Sequence, residues 1–310
     1  MKHTWKITLI LASLFLITQL FGIFTVSQNI EVKKDIVTGE INIEHKETIV
    51  GEPPKTESGY ESVSIITIAI IIGTLLLLLL IKLKINILWK FWYIVAVIMT
   101  MAITFGVYTK FFSIKLNYLV ALMLAIILAW YKIYKGNILI HNITEIFIYT
   151  GIAVLFVRMF EGWLWAAFLI LIIMSLYDIF AVWMSKHMIK IAKYQTKNKM
   201  FAGLSVPYKP SIAKGLKIKK VQKRKGERIA VLGGGDLAFP LIFSGAVMSD
   251  LILRYGLDKT SAVALTSIIS IAATLALLFL FVIAKKDKFY PAMPYLTVGC
   301  IIGYLVVLLL

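Results

Sequence analysis

The chain has a single cysteine, Cys300, among its 310 residues. No intrachain disulfide can form, and no zinc site built on cysteine pairs is available. The four histidines include no two at metal-ligand spacing, so neither a metal nor a cofactor is expected. Charge is scarce as well. Asp, Glu, Lys and Arg make up 16% of the residues against 60% hydrophobic, and the mean hydropathy is +0.88. That composition excludes an ordinary soluble domain. Acids are the scarcer sign, 16 against 33 basic residues, for a formal charge of +17. In a soluble chain this excess points to nucleic acid. Here the basic residues sit in short loops beside apolar blocks, where membrane topology accounts for them, and no nucleic-acid partner is expected. No convincing internal repeat is present, so an inverted-repeat transporter has no positive support.

What the chain does have is apolar blocks long enough to cross a bilayer, which takes roughly 20 residues each. Read between charges, they predict an all-α, polytopic membrane protein of about nine helices. The spans fall near 7–27, 63–81, 87–108, 116–131, 137–157, 163–185, 229–253, 260–284 and 289–310. Lys2 and Lys6 have the form of a signal-peptide n-region. The apolar run 7–26 is long and no small-x-small cleavage site follows, so a retained first span is expected.

Three regions result: an N-terminal membrane region over residues 1–185, a basic loop over 186–228 and a C-terminal membrane region over 229–310. The polar stretch 28–62 carries eight acids against four lysines, whereas 186–228 carries fourteen Lys or Arg and one acid, Glu227. Lys82, Lys84, Lys132, Lys135, Lys285, Lys286 and Lys288 fall on the side of the basic loop. The opposite side holds Lys110, Lys115, Arg158, Arg254 and Lys259. The positive-inside rule then puts the N-terminus and the basic loop inside, and the acidic stretch and the C-terminus outside.

Carboxyls within apolar spans are rare and costly, so Glu145, Asp178 and Asp236 are functional candidates. Asp178, in LIIMSLYDIFAVWM, lies eight residues before Lys186, and Asp236, in IAVLGGGDLAFP, eight residues after Arg228. At helical rise both sit about 12 Å from the same membrane face. A paired site, two separate polar contacts and a proton path all fit that spacing. Gly233, Gly234 and Gly235 let another backbone come close to Asp236, and Pro240 leaves the Asp236 carbonyl without its helical partner. Pro291, Ala292, Met293 and Pro294 open the last span, where two prolines disfavour a regular helix or mark its first turn. Glu145, near His141, is read as a residue close to the interface or a functional acid. Asp250 and Arg254, four apart, read as an ion pair on a helix surface. The apolar patch 200–206 is read as packing on the helices.

Tyr177-Asp178, Gly233-Gly234-Gly235-Asp236 and Pro291-Ala292-Met293 resemble the YD, GxGD and PAL motifs of presenilins and signal peptide peptidases. They stand on the sixth, seventh and ninth spans, with the large loop between the aspartates, so the resemblance covers most of the chain. Two positions depart: the x residue is Gly234 in place of leucine, and Met293 replaces the leucine of PAL. Methionine keeps a similar apolar volume, whereas Gly234 removes a side chain and puts substrate preference in question. The resemblance implies a presenilin-like intramembrane aspartyl protease with Asp178 and Asp236 as its catalytic pair. Tyr177, Gly233, Gly234, Gly235, Pro291, Ala292 and Met293 would support the site or hold substrate. The implied partners are transmembrane-helix substrates and the lipid bilayer; the sequence does not name whether partner subunits are required, and none is expected. The competing reading is a transporter or channel that uses the intramembrane carboxyls as ion or proton sites. A third is an idle scaffold.

Overall fold

The computed structural model describes residues 4–35, 41–54, 56–111, 116–198, 200–208, 229–285 and 289–310. The expected basic residues within 209–228, with Lys115, Lys286 and Lys288, lie outside them. In lipid the backbone must satisfy its own hydrogen bonds, so apolar blocks fold as helices. Their order is α1 (Trp5–Asn29), β1 (Ile30–Lys34), β2 (Ile41–His45), α2 (Gly59–Leu83), α3 (Asn86–Phe111), α4 (Asn117–Trp130) and α5 (Ile138–Phe156). Then come α6 (Leu164–Ile179), α7 (His187–Lys197), β3 (Gly203–Pro207), β4 (Ile229–Gly233), α8 (Gly234–Tyr255), α9 (Lys259–Ile283) and α10 (Met293–Leu309). Single wide turns, Tyr131–Lys135 and Phe180–Met184, continue α4 and α6. Eight of the described helices are long and apolar enough to cross a membrane, and α10 is a shorter apolar helix. The chain is an all-α polytopic membrane protein.

Helix α8 is the axis of the bundle: 83% of its most apolar window is buried, against 11% for α2. Lipid supplies no hydrophobic drive between helices, so small residues and polar contacts set the packing. A Cβ on Gly303 of α10 would lie 2.7 Å from the Ile269 Cα of α9, so these helices touch backbone to backbone. The Thr104 hydroxyl of α3 donates to the Phe147 carbonyl of α5 at 2.7 Å. Ser175 of α6 and Thr297 of α10 share a hydrogen bond of 2.7 Å.

The two ends of the bundle differ. At one end β1 and β2 pair antiparallel, Ile30 opposite His45 and Lys34 opposite Ile41. Around this hairpin His45 meets Glu161 at 2.5 Å, Arg158 meets Glu52 at 2.9 Å, and Lys259 donates to the Ile30 carbonyl at 2.9 Å. Arg254 and Asp250 form the expected ion pair, at 2.7 Å, but Asp250 is buried and only Arg254 stands on the surface. At the other end lie the wide turns, α7 and a second antiparallel hairpin, β3 with β4.

Three sequence expectations change here. The seventh span does not start as a helix at 229, because Ile229–Gly233 is a strand paired with Gly203–Pro207. A short apolar run does not by itself distinguish strand from helix. The last span starts as a helix at Met293, after four non-helical residues, 289–292. Lys132 is no loop charge: it is 5% exposed, inside the turn that continues α4. The patch 200–206 packs inward, with Met200, Leu204 and Val206 all buried.

Candidate active site

Strand β3 is a short stretch whose alternate residues, Leu204 and Val206, are buried, and β4 matches it with Ala230 and Leu232. Register places Leu204 opposite Leu232 and Val206 opposite Ala230. The backbone groups of Gly203 and Ser205 point away from β4, because they bond to side chains of α5. By the alternation of an antiparallel pair, Ile229, Val231 and Gly233 turn theirs to the opposite side. No further strand pairs with β4 among the described residues, and Val231 is 41% exposed. One edge of β4 is therefore open, and it runs directly into the glycines before Asp236.

Helix α8 starts where β4 stops. Gly233 is its N-cap, with extended backbone (φ −67°, ψ 155°), and Asp236 stands in the first turn, three residues on. From there its carboxylate reaches back to the Gly233 amide, as an acid at this position does in a capping box. A helix N-terminus is a favourable place for negative charge. Asp178 reaches the same condition by another route. It lies in the last turn of α6, and its Oδ2 accepts the backbone N–H of Met293 at 3.1 Å. That N–H belongs to the first residue of α10, where no intrahelical acceptor exists. Ala292 also presents its amide to Asp178. Both aspartates are half-buried, and each carboxyl lies within electrostatic reach of the other.

The structure thus brings together Asp178, Asp236, Gly233, Ala292 and Met293. Pro291 is buried just ahead of the helix start, and Pro294 sits in the first turn, so the last span begins at a proline-marked end that also grips Asp178. Gly235 is exposed on the open side. Gly234 faces the other way: a Cβ there would collide with the hydroxyl of Tyr149. Tyr177 is turned to the periphery, its hydroxyl hydrogen-bonded to Thr74 of α2 at 2.9 Å and to His187 Nε2 at 3.1 Å. His187 lies outside the spans. Burial, then the charge of Lys190, holds its imidazole below the usual histidine range.

Sequence reasoning missed Gln19, Tyr149 and Asn142. Gln19 of α1 donates to the Leu237 carbonyl at 2.9 Å, one residue past Asp236 in a turn already interrupted by Pro240. Asn142 was legible in part, as a third polar residue in the block that holds His141 and Glu145.

Residues 21–310 match the family model described as signal-peptide peptidase, presenilin aspartyl protease. No curated protein sequence matches the chain. A solved structure of a presenilin family intramembrane aspartate protease is similar with a TM-score of 0.64 at 17% identity, over 97% of this chain and 98% of that one.

Proposed function

The chain belongs to the signal-peptide peptidase and presenilin aspartyl protease family, and from that premise we propose that Asp178 and Asp236 are its catalytic pair. The protein is an intramembrane aspartic endopeptidase, a multi-pass membrane hydrolase that acts on transmembrane substrates. The observation that carries the pair is that two carboxyls from different helices, each at a helix N-terminus, interact beside an open strand edge. Two carboxyls that interact across one site do not both ionise easily, so they share a proton. The ionised member takes a proton from water as the oxygen attacks the scissile carbonyl. The protonated member gives its proton to the developing oxyanion. The tetrahedral intermediate then collapses with protonation of the leaving amine, and no covalent enzyme intermediate forms.

A transmembrane substrate hides its amides within its own helix, so a few residues must unwind first. The open edge of β4 offers Val231 and its neighbours as backbone partners for that unwound stretch, by strand addition. Extended substrate there runs toward Asp236. Ala292 and Met293 hold Asp178 on the other side through their backbone amides, with Pro291 just ahead of them. We further propose that the N-terminus and the basic loop lie inside and the C-terminus outside, on the charge asymmetry, and that cleavage needs no partner subunit.

The test is cleavage of a generic transmembrane peptide by purified protein in detergent. Asp178→Asn and Asp236→Asn should each reduce turnover to background, because an amide keeps the size but neither holds nor transfers the shared proton. Cleavage at a comparable rate by either variant refutes the pair.

A further inference from the structure

Glu145 and Lys132 are buried, charged and unused by the mechanism, with side chains 1% and 2% exposed. A charge at this depth is expensive unless paired and fully hydrogen-bonded. Here it is both. The Lys132 ammonium donates to Glu145 Oε1, to Thr144 Oγ1 at 3.2 Å and to His141 Nδ1 at 3.2 Å, which accounts for its three protons. An ammonium can only donate, so Nδ1 is the acceptor and the remaining imidazole proton is on Nε2.

All of this converges on β3. Glu145 Oε2 accepts the Gly203 N–H at 2.8 Å, and His141 Nε2 donates to the Gly203 carbonyl at 2.8 Å. Asn142 uses both ends of its amide: Oδ1 accepts the Ser205 N–H at 3.0 Å, and Nδ2 donates to the Ser205 carbonyl at 2.9 Å. Those are the outward backbone groups of Gly203 and Ser205, the ones a neighbouring strand would bond. Gly203 also stands opposite Gly233, whose amide supports Asp236. One cross-strand step therefore joins the α5 side chains to the N-cap of α8. A second link runs through Tyr149, one turn on from Glu145, which interacts with Glu145 and packs on Gly234.

We propose that His141, Asn142 and Glu145 act as a surrogate third strand, with Lys132 as the counter-ion that orients Glu145. They are positioning residues. They close the β3 edge against substrate, leave β4 as the edge that pairs, and hold Gly233 and hence Asp236 in register with Asp178. A neutral asparagine, or a water, could satisfy the same backbone more cheaply. A lysine-clamped carboxylate gives a fixed acceptor, and a fixed hairpin is what in-register attack requires. This inference rests on the proposed pair and on substrate pairing with β4, so its test carries a readout independent of cleavage.

The experiment uses the full chain in detergent with a synthetic transmembrane peptide. It measures kcat, KM and amide hydrogen exchange over 201–207 and 229–233. Asn142→Ala removes two backbone contacts without stranding a charge. It should speed exchange in both segments but not in α9, and lower kcat about tenfold with KM changed less. Lys132→Met with Glu145→Leu removes the charges and the Gly203 acceptor together and should do the same. Lys132→Met with Glu145→Gln restores an acceptor and should recover most of that loss. Glu52→Gln, at the opposite end of the bundle, serves as the control for a lost ion pair. If Asn142→Ala proves unfolded, His141→Phe, which loses the bonds to the Gly203 carbonyl and to Lys132 and keeps a ring, carries the same comparison.

Unchanged kcat and unchanged exchange in these variants overturn the proposal. So does a fall in thermal stability with kcat per folded molecule intact, which marks a structural role only. Faster exchange without a kcat change likewise overturns the positioning role. Should Asp178→Asn or Asp236→Asn still cleave, it is the catalytic pair that has failed, and the exchange data alone decide whether α5 holds the hairpin.

Discussion

Gly234 occupies the position where the resemblance leads one to expect leucine, and the structure gives the reason. A Cβ at 234 would strike the Tyr149 hydroxyl and lie 2.8 Å from Cζ and 3.0 Å from Cε1 of the ring. Tyr149 is 4% exposed and packed among the residues of the main core, so it has no free space to swing into. Overpacking of this kind costs about 1–3 kcal/mol, or roughly five- to 150-fold at tenfold per 1.4 kcal/mol. The displaced element is the first turn of α8, which carries Asp236, so some of the cost should appear in turnover as well as in stability. A double-mutant cycle isolates it. Gly234→Ala should lower both Tm and cleavage, Tyr149→Leu should have its own smaller effect, and the combination should recover toward Tyr149→Leu alone. The expected coupling is about 1–3 kcal/mol in magnitude, well above the scatter of independent sites. Thermal unfolding and peptide cleavage of the four proteins provide both readouts. Additive losses, or a Gly234→Ala protein that cleaves like wild type, would refute the steric reasoning.

Pro291→Ala should cut cleavage strongly with the fold retained, since it frees φ and supplies an amide just ahead of the Met293 N–H that Asp178 accepts. Met293→Leu should stay within about twofold of wild type, because the contact is through backbone and the volume is conserved. Equal effects of the two substitutions in the cleavage assay refute this division of roles. Below the ordinary histidine pKa of about 6.5, the depressed value of His187 means that unfolded chain binds the proton first. Its contribution is complete above that pH and is lost as pH falls through the folded value, when Nε2 can no longer accept from Tyr177. Wild-type Tm should therefore fall more steeply on acidification than that of His187→Phe, and parallel curves refute this role of His187. A reporter fused after Leu310 should read outside and one inserted at Lys220 inside; the reverse pattern overturns the proposed orientation.

Much of the bundle was legible because a bilayer imposes one demand, about 20 apolar residues without charge. The spans at 63–81, 87–108, 137–157 and 260–284 lie within α2, α3, α5 with its following turn, and α9 to within a few residues. The two aspartates were legible for the converse reason, as charges where none is cheap. The hairpin was hidden. Ile229–Gly233 reads as the apolar start of a helix, and only its pairing with Gly203–Pro207, on the far side of a long polar loop, makes it a strand. Long-range pairing leaves no local periodicity in five residues. Lys132 misled for a related reason: a lysine beside Tyr131 and Ile133 looks like a membrane boundary, and only its partner Glu145, thirteen residues on, makes burial tolerable. Tyr177 was grouped with the site by motif, yet its hydroxyl binds Thr74 and His187, because the side chain leaves α6 toward α2 and α7.

Hydrolysis within a membrane needs free polar backbone at a depth where lipid forbids it. Each motif in this chain marks a place where a helix is interrupted. Helix α6 gives way to a wide turn just after Asp178, α8 begins only at Gly234, and α10 only at Met293. The groups these interruptions release are the ones at the site: the Met293 amide on Asp178, the Gly233 amide on Asp236, and the open edge of β4. Had Ile229–Gly233 been the first turn of α8, its carbonyls would be bonded within the helix and no strand edge would remain for the proposed substrate pairing. Had the last span been helical from 289, the Met293 amide would bond within α10 and Asp178 would lose a donor. The glycines and prolines that weaken these helices therefore supply the hydrogen-bonding capacity that the rest of the bundle has removed.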